Sequence, residues 1–263
     1  MYHSHFRGTH YEIGFRWGSL LLRHKNIILN HIPFQITQER IDFALSCIPI
    51  YKKYFPEILD EIQGIADGQA CSVQMLQAVL FSMYAMPPSC NCSCFAVIND
   101  NRAIFGRNSD FLTDLEKLNL NVIYKFTSDA YSFTGNTTAF VEMEDGVNEH
   151  GLAVGLTSVY PYGRAAGFNT GLLLRYFLER CRNIQDVIAC LKYLPISSAQ
   201  ICNRRFQHKT RPPLKHPSER AGKAHPQNQS VSQNICCSVQ LSSHLSRRTE
   251  RFPILPPQSA QSQ

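Results

Sequence analysis

The residues best suited to chemistry lie between Asn91 and Phe111, where the chain reads Asn-Cys-Ser-Cys-Phe-Ala-Val-Ile-Asn-Asp-Asn-Arg-Ala-Ile-Phe-Gly-Arg-Asn-Ser-Asp-Phe. Two apolar runs, Cys94 to Ile98 and Ala103 to Phe105, flank the turn cluster Asn99-Asp100-Asn101, a pattern that predicts a β-hairpin. Cys90, Cys92 and Cys94 stand at its start, and Arg107-Asn108-Ser109-Asp110 stand at its end. In an antiparallel pair the start of one strand lies beside the end of the other. A thiol is thereby brought next to a guanidinium and a carboxylate, the layout of an activated nucleophile with its orienting charges.

The attacking species is the thiolate, which needs a base or a nearby positive charge. The hairpin holds no histidine, and the nearest one downstream is His150. A cysteine that becomes the first residue of its chain can use its own α-amine, which titrates near pH ~8, as the base. That requires cleavage just before the cysteine, and a long segment precedes it, as a removable pro-segment would. Two other readings of the same residues stand beside this one. The cysteines can be ordinary buried strand residues, since cysteine is among the most buried types. They can also be metal ligands, although the C-x-C-x-C spacing lacks a matching second ligand pair.

The elements that must position this hairpin are readable on both sides. Thr9-His10-Tyr11-Glu12 is a capping box that starts a helix, followed by Ile13, Trp17, Leu20, Leu21 and Ile28 at helical spacing. Gly14 and Gly18 share one face of it and mark close packing against another element. A second helix runs from after Thr37 towards Tyr54, with Pro49 inside it; a third runs from Pro56 to Ala66 and is stopped by Gly68; a fourth, capped by Ser72, runs from Val73 to Tyr84. Residues 1 to about 88 thus read as all-helical. Beyond the hairpin, Leu118 to Phe126, Ala139 to Met143 and Leu152 to Ser158 read as strands. Thr134-Gly135-Asn136, Asp145-Gly146 and His150-Gly151 read as turns between them, and Gly171 to Cys181 and Ile184 to Tyr193 as helices. Helices, a strand-rich block and more helices predict an α+β domain of stacked layers.

Hydrophobic residues make up 44% of the 263, enough for one large domain or two small ones. The net charge of +6 is uneven: residues 201–263 carry ten Lys/Arg against two Asp/Glu, and the rest of the chain is mildly acidic. The basic tail, rich in Pro, Ser, Gln and His, reads as a solvated low-order segment. No secretory signal precedes the ten cysteines, so reduced thiols and a cytoplasmic location are expected. The most apolar stretch, Met75 to Pro87, is too short to span a bilayer.

Four stretches resemble the penicillin acyltransferase type of N-terminal-nucleophile hydrolase, with the choloylglycine (bile salt) hydrolases as more distant relatives. They are Arg7 to Gly18 (like G-x-x-Y-E-I-G-x-x-x-G), Glu61 to Gly68 (E-I-x-G-I-A-x-G), Cys92-Ser93-Cys94-Phe95 leading to Gly106 through Phe111, and Val147 to Val154 (N-E-x-G-L-A-V). Together they cover residues 7 to 200. The resemblance implies an αββα layered fold, incomplete at the C-terminus, in three parts: a helical pro-segment (1–91), a partial nucleophile-hydrolase domain (92–200) and the basic tail (201–263). It makes Cys92 the nucleophile, freed by cleavage between Asn91 and Cys92, with Cys90 leaving with the pro-segment and Cys94 a packed strand residue. Asp110 matches the carboxylate that orients the α-amine, and Arg107 the arginine beside the thiol. Thr157 falls where relatives place an oxyanion donor, and Asn148 reads as a turn former. The substrate implied is a small-molecule amide or acyl donor. No cofactor, metal or nucleic acid is implied.

The chain departs from the family at Gln200. Relatives continue Ser-Ala-Gln with Asn-Tyr and more sheet, the Asn serving the oxyanion hole; here Ile201 stands in its place. One codon choice for Ile201 to His208, read one base out of frame, gives Tyr-Val-Thr-Ala-Asp-Ser-Asn, which resembles the family's continuation, so a reading-frame or splicing change is expected. Two rival readings follow: an inactive truncated product of the same family, and a Cys-rich metal- or nucleic-acid-binding protein that uses the basic tail.

Overall fold

The structure is a computed structural model that describes residues 2–86, 91–99, 102–110, 118–158, 165–197 and 200–201, with residues 91, 98, 99, 102, 103, 110, 158, 200 and 201 described by their backbone alone. The expectations placed on Cys90 and on the tail beyond residue 201 lie outside the described residues.

Strand β1 (Tyr2–Gly8) leads into helix α1 (His10–Arg23), followed by α2 (Gln38–Tyr54), α3 (Pro56–Gln69) and α4 (Val73–Met83). The expected starts hold: the Thr9 and Glu12 side chains form a reciprocal capping box on α1, Pro56 opens α3, and the Ser72 hydroxyl accepts from the Met75 N–H at the start of α4. The all-helical reading of the first 88 residues is corrected by β1, which pairs in parallel with β4 (Leu120–Phe126) over the register Tyr2↔Leu120 to Gly8↔Phe126. Gly68 does not stop α3. It lies inside the helix, which ends at Ala70 in the left-handed conformation (φ 53°).

Gly64 and Gly68 face Gly14 and Gly18 across the α1–α3 contact. A Cβ on Gly14 would lie 2.1 Å from the Glu61 carbonyl oxygen, and one on Gly64 2.3 Å from that of Tyr11. The two backbones touch, and any side chain at these positions would hold them apart.

The hairpin forms as expected, with β2 (Asn91–Asn99) antiparallel to β3 (Arg102–Asp110). The second sheet has the order β1-β4-β5-β6-β7, with β5 (Phe133–Thr137), β6 (Asp145–Asn148) and β7 (Ala153–Gly155). Here two expectations are corrected. Thr134-Gly135-Asn136 and Asp145-Gly146 are strand residues, and Ala139 to Met143 is a turn with Phe140 at φ 59°. The apolar character of that turn reflects burial, since Ala139, Val141 and Met143 are all enclosed. Short β8 (Thr157–Ser158) pairs with β9 (Gln200–Ile201). Helices α5 (Thr170–Arg180) and α6 (Ile184–Tyr193) follow their expected bounds closely.

Alternation along the strands sets the layers. Val122, Tyr124 and Phe133 point into the helical side and are buried. A Cβ on Gly146 would meet Leu178 of α5 at 2.8 Å, so α5 lies directly on this face. On the opposite face a Cβ on Gly155 would meet the Phe105 ring at 2.4 Å, so the hairpin lies there. The architecture is α+β, with helices, a five-stranded sheet and the hairpin in succession. The outward face of the hairpin carries Phe95, Val97 and Ile104, each more than half exposed.

Candidate active site

The hairpin register sets Asn91 opposite Asp110, Cys92 opposite Ser109 and Cys94 opposite Arg107. Residues two apart share a face of a strand, so Cys92, Cys94 and Arg107 all turn inward while Ser93, Phe95 and Asn108 are exposed. The Arg107 guanidinium lies between the hairpin and the sheet with only 5% of its side chain exposed. Its Nη2 donates to the Cys92 Sγ at 3.1 Å, its Nε to the Leu156 carbonyl at 2.9 Å, and its Nη1 to Glu144 Oε2 at 3.0 Å. Asp145 Oδ2 lies 3.9 Å from the same Nη1. Burial disfavours the charge of Arg107, but Glu144, Cys92, Tyr84 and Asp145 outweigh it, so the guanidinium stays cationic with a raised pKa.

The partners of Arg107 are themselves held. Glu144 Oε1 accepts from the Thr138 hydroxyl at 2.5 Å, the Thr138 N–H at 3.2 Å and the Tyr84 hydroxyl at 3.4 Å. Asp145 Oδ1 accepts from the Asn136 side chain at 2.6 Å, and Asn136 Oδ1 from that of Asn121 at 2.9 Å. His3, Asn121, Asn136 and Asp145 are successive cross-strand neighbours, so one polar row crosses the sheet towards the guanidinium. Burial raises the pKa of Asp145, against the pull of Asn136 and Arg107. Burial first, and then Glu144 and Glu142, push the Tyr84 hydroxyl well up.

Of the residues singled out from sequence, Cys92 and Arg107 are thus in direct contact. Asp110 stands by its backbone beside the thiol-bearing end of the hairpin, and its side chain and that of Asn91 lie outside the described residues. Thr157 follows Leu156, whose carbonyl also takes the Cys94 S–H at 3.5 Å. Thr157 pairs with Ile201, so the two positions that the resemblance ties to an oxyanion site lie opposite each other. Asn148 does form the turn: its Oδ1 accepts from the N–H groups of His150 and Leu152. Its Nδ2 also donates to the carbonyls of Leu178 and Cys181 and so closes the end of α5. Sequence reasoning missed Glu144, Asp145, Thr138 and Tyr84. The available signal was the acidic pair Glu144-Asp145 immediately before the fourth motif, which the Asp-Gly dipeptide disguised as a turn. Among the described residues no group of three or more His, Cys, Asp or Glu is arranged to hold a metal ion, and no helix is long and apolar enough to cross a membrane.

The profile of the family described as "Acyl-coenzyme A:6-aminopenicillanic acid acyl-transferase" matches residues 97–203. A beta-alanyl-dopamine/carcinine hydrolase from Drosophila melanogaster is 22% identical over 236 residues, covering 76% of this chain. The aligned region spans 59% of that protein's length. Both matches bear out the resemblance read from the four motifs, and they support a hydrolase or acyltransferase kind of chemistry.

Proposed function

We propose that this chain, a relative of the penicillin acyltransferase type of N-terminal-nucleophile hydrolase, is a self-processing cysteine amidohydrolase or acyltransferase for linear, non-peptide amides. The observation that carries the reading is the Arg107 Nη2 donor 3.1 Å from the Cys92 sulfur, buried behind the hairpin. A cationic donor at that distance gives the attacking sulfur a charge-assisted hydrogen bond and fixes its place.

In the precursor the Cys92 sulfur attacks the Asn91 carbonyl carbon. The C–S bond forms, the peptide C–N bond breaks, and the nitrogen takes the thiol proton to become the free α-amine of Cys92. Water then hydrolyses the thioester, leaving a carboxylate on Asn91 and a thiol on Cys92. In turnover the α-amine takes the thiol proton, the sulfur attacks the substrate amide, and the departing amine carries that proton away. Water or a second amine removes the acyl group from sulfur. Asp110 orients the α-amine, and Thr157 is the proposed oxyanion donor. The αββα arrangement, with residues 1–91 as leader and 92–200 as the nucleophile domain, belongs to the same reading. So does a reducing, cytoplasmic setting, which the free Cys47, Cys71, Cys92, Cys181 and Cys190 would suit. The relative's name makes beta-alanyl-dopamine and carcinine the first amides to offer.

The test is the N-terminal residue of the purified protein. A new terminus at Cys92, lost together with amide turnover in Cys92→Ala, supports the proposal. An intact chain under every condition, or an alanine variant that still turns over amide, overturns it.

A further inference from the structure

We infer that Thr138 is a positioning residue for the Cys92 thiol, acting through Glu144 and Arg107; the inference rests on the reading of Cys92 as the nucleophile. Arg107 has a long, freely rotating stem, so its contact with sulfur survives only if something holds the guanidinium in one place. Two contacts do so, one to the Leu156 carbonyl and one to Glu144 Oε2. The first is a fixed backbone acceptor. The second is only as fixed as the Glu144 carboxylate.

Thr138 fixes that carboxylate. Its hydroxyl and its N–H converge on Oε1, at 2.5 and 3.2 Å, which leaves Oε2 to face Arg107. Glu144 and Arg107 are 6% and 5% exposed, so water does not average the geometry away. Asp145 offers the guanidinium a second place to rest, because its Oδ2 lies 3.9 Å from the same Nη1 that Glu144 engages. Once Glu144 is free to turn, the cation is shared between two carboxylates and drawn off the sulfur. The Thr138 hydroxyl, the shortest of three contacts on Oε1 beside the Thr138 N–H and the Tyr84 hydroxyl, therefore biases which acceptor wins, at two removes from the sulfur that benefits.

The experiment measures alkylation of Cys92 by iodoacetamide in the full-length chain between pH 6 and pH 10, resolved from the other cysteines by peptide mass spectrometry. Wild type is compared with Thr138→Val, Thr138→Ser and Arg107→Gln, and melting curves establish that each is folded. The valine variant keeps the volume and loses the hydroxyl. It is expected to alkylate about 3- to 10-fold more slowly at pH 7. The serine variant is expected to match wild type, and the gap to close by about pH 10, where thiols are thiolates without help. A valine variant that reacts like wild type while Arg107→Gln is slowed overturns the role of Thr138 and leaves the nucleophile reading standing. An Arg107→Gln protein that also reacts like wild type overturns both. A serine variant as slow as the valine one overturns the hydroxyl's part. Should the valine protein fail to fold, Thr138→Ala carries the same comparison.

Discussion

One guanidinium, that of Arg107, serves three acceptors between the hairpin and the sheet, and the residues around it differ in how readily sequence betrays them. The hairpin makes a thiol beside Arg107 legible, and the resemblance singles out Cys92 from Cys90, Cys92 and Cys94. Glu144 was not legible, because its role depends on a turn 37 residues further on. Glu142, two residues before it, is fully buried: Oε1 accepts from Asn169 at 2.6 Å, and Oε2 finds no partner among the described residues. Burial drives its pKa well above the ordinary 4.5, with Asn169 opposing and Glu144 reinforcing. The native state then keeps a proton that the unfolded chain has already lost, so this group's contribution to stability falls as pH rises from about 4.5 towards the folded pKa and is fully unfavourable beyond it. Glu142→Gln keeps the acceptor and removes the charge. Thermal melts should show the variant equal to wild type near pH 4 and higher at pH 7 to 8, by about 2–4 °C for each kcal/mol regained. Equal melting temperatures across that range would show that the carboxyl ionises in the fold without penalty.

At the scale of elements, caps and helix periodicity are local, and they were read correctly at Thr9, Pro56, Ser72 and along α6. Strand identity was set by partners far away in sequence. β1 reads Tyr-His-Ser-His-Phe-Arg-Gly, with only Phe6 and Gly8 buried, and its pairing partner lies more than a hundred residues on. Gly135 and Gly146 look like turn residues, yet the sheet uses them where neighbouring backbone and α5 come close. A Cβ on Gly135 would meet the Asp145 carbonyl at 2.8 Å, and one on Gly146 would meet Leu178 at 2.8 Å. The glycine contact between α1 and α3 was half visible: Gly14 and Gly18 signalled close packing, while Gly68 was mistaken for a helix stop. Gly64→Ala tests that contact. Alanine gains about 1 kcal/mol of helix propensity, but its methyl would lie 2.3 Å from the Tyr11 carbonyl oxygen, a rigid backbone atom. The helices must separate along the whole seam, and the variant should lose about 2 kcal/mol net in urea denaturation. A variant as stable as wild type would mean that the seam yields at little cost.

Across the whole molecule, the segment before Cys92 is built into the same core as the segment after it. β1 forms the edge of the five-stranded sheet against β4. Arg175 of α5, fully buried, donates to Glu61 of α3 at 2.6 Å and to Glu179, which in turn lies 2.9 Å from His10 of α1. Burial opposes the charge on Arg175, but Glu61, Tyr124 and Glu179 outweigh it and raise its pKa. Tyr84, also from before Cys92, reaches Glu144. A cut between Asn91 and Cys92 therefore should not release the leader, contrary to what a removable pro-segment implies. If processing occurs, the two pieces should co-elute in size-exclusion chromatography even at high salt, since screening reaches buried pairs poorly, and they should part only in denaturant. A leader that elutes by itself from native buffer would refute this. The pair across the seam gives the sharper measurement. Glu61→Ala leaves the buried Arg175 charge offset by Glu179 alone among the described carboxylates, and Glu179 is itself shared with His10, at a cost of roughly 3 kcal/mol. Adding Arg175→Met removes that half-offset charge but leaves Glu179 to His10, so the double variant should recover part of the loss in urea denaturation. A double variant no more stable than Glu61→Ala alone would place the cost in lost packing rather than in the stranded guanidinium.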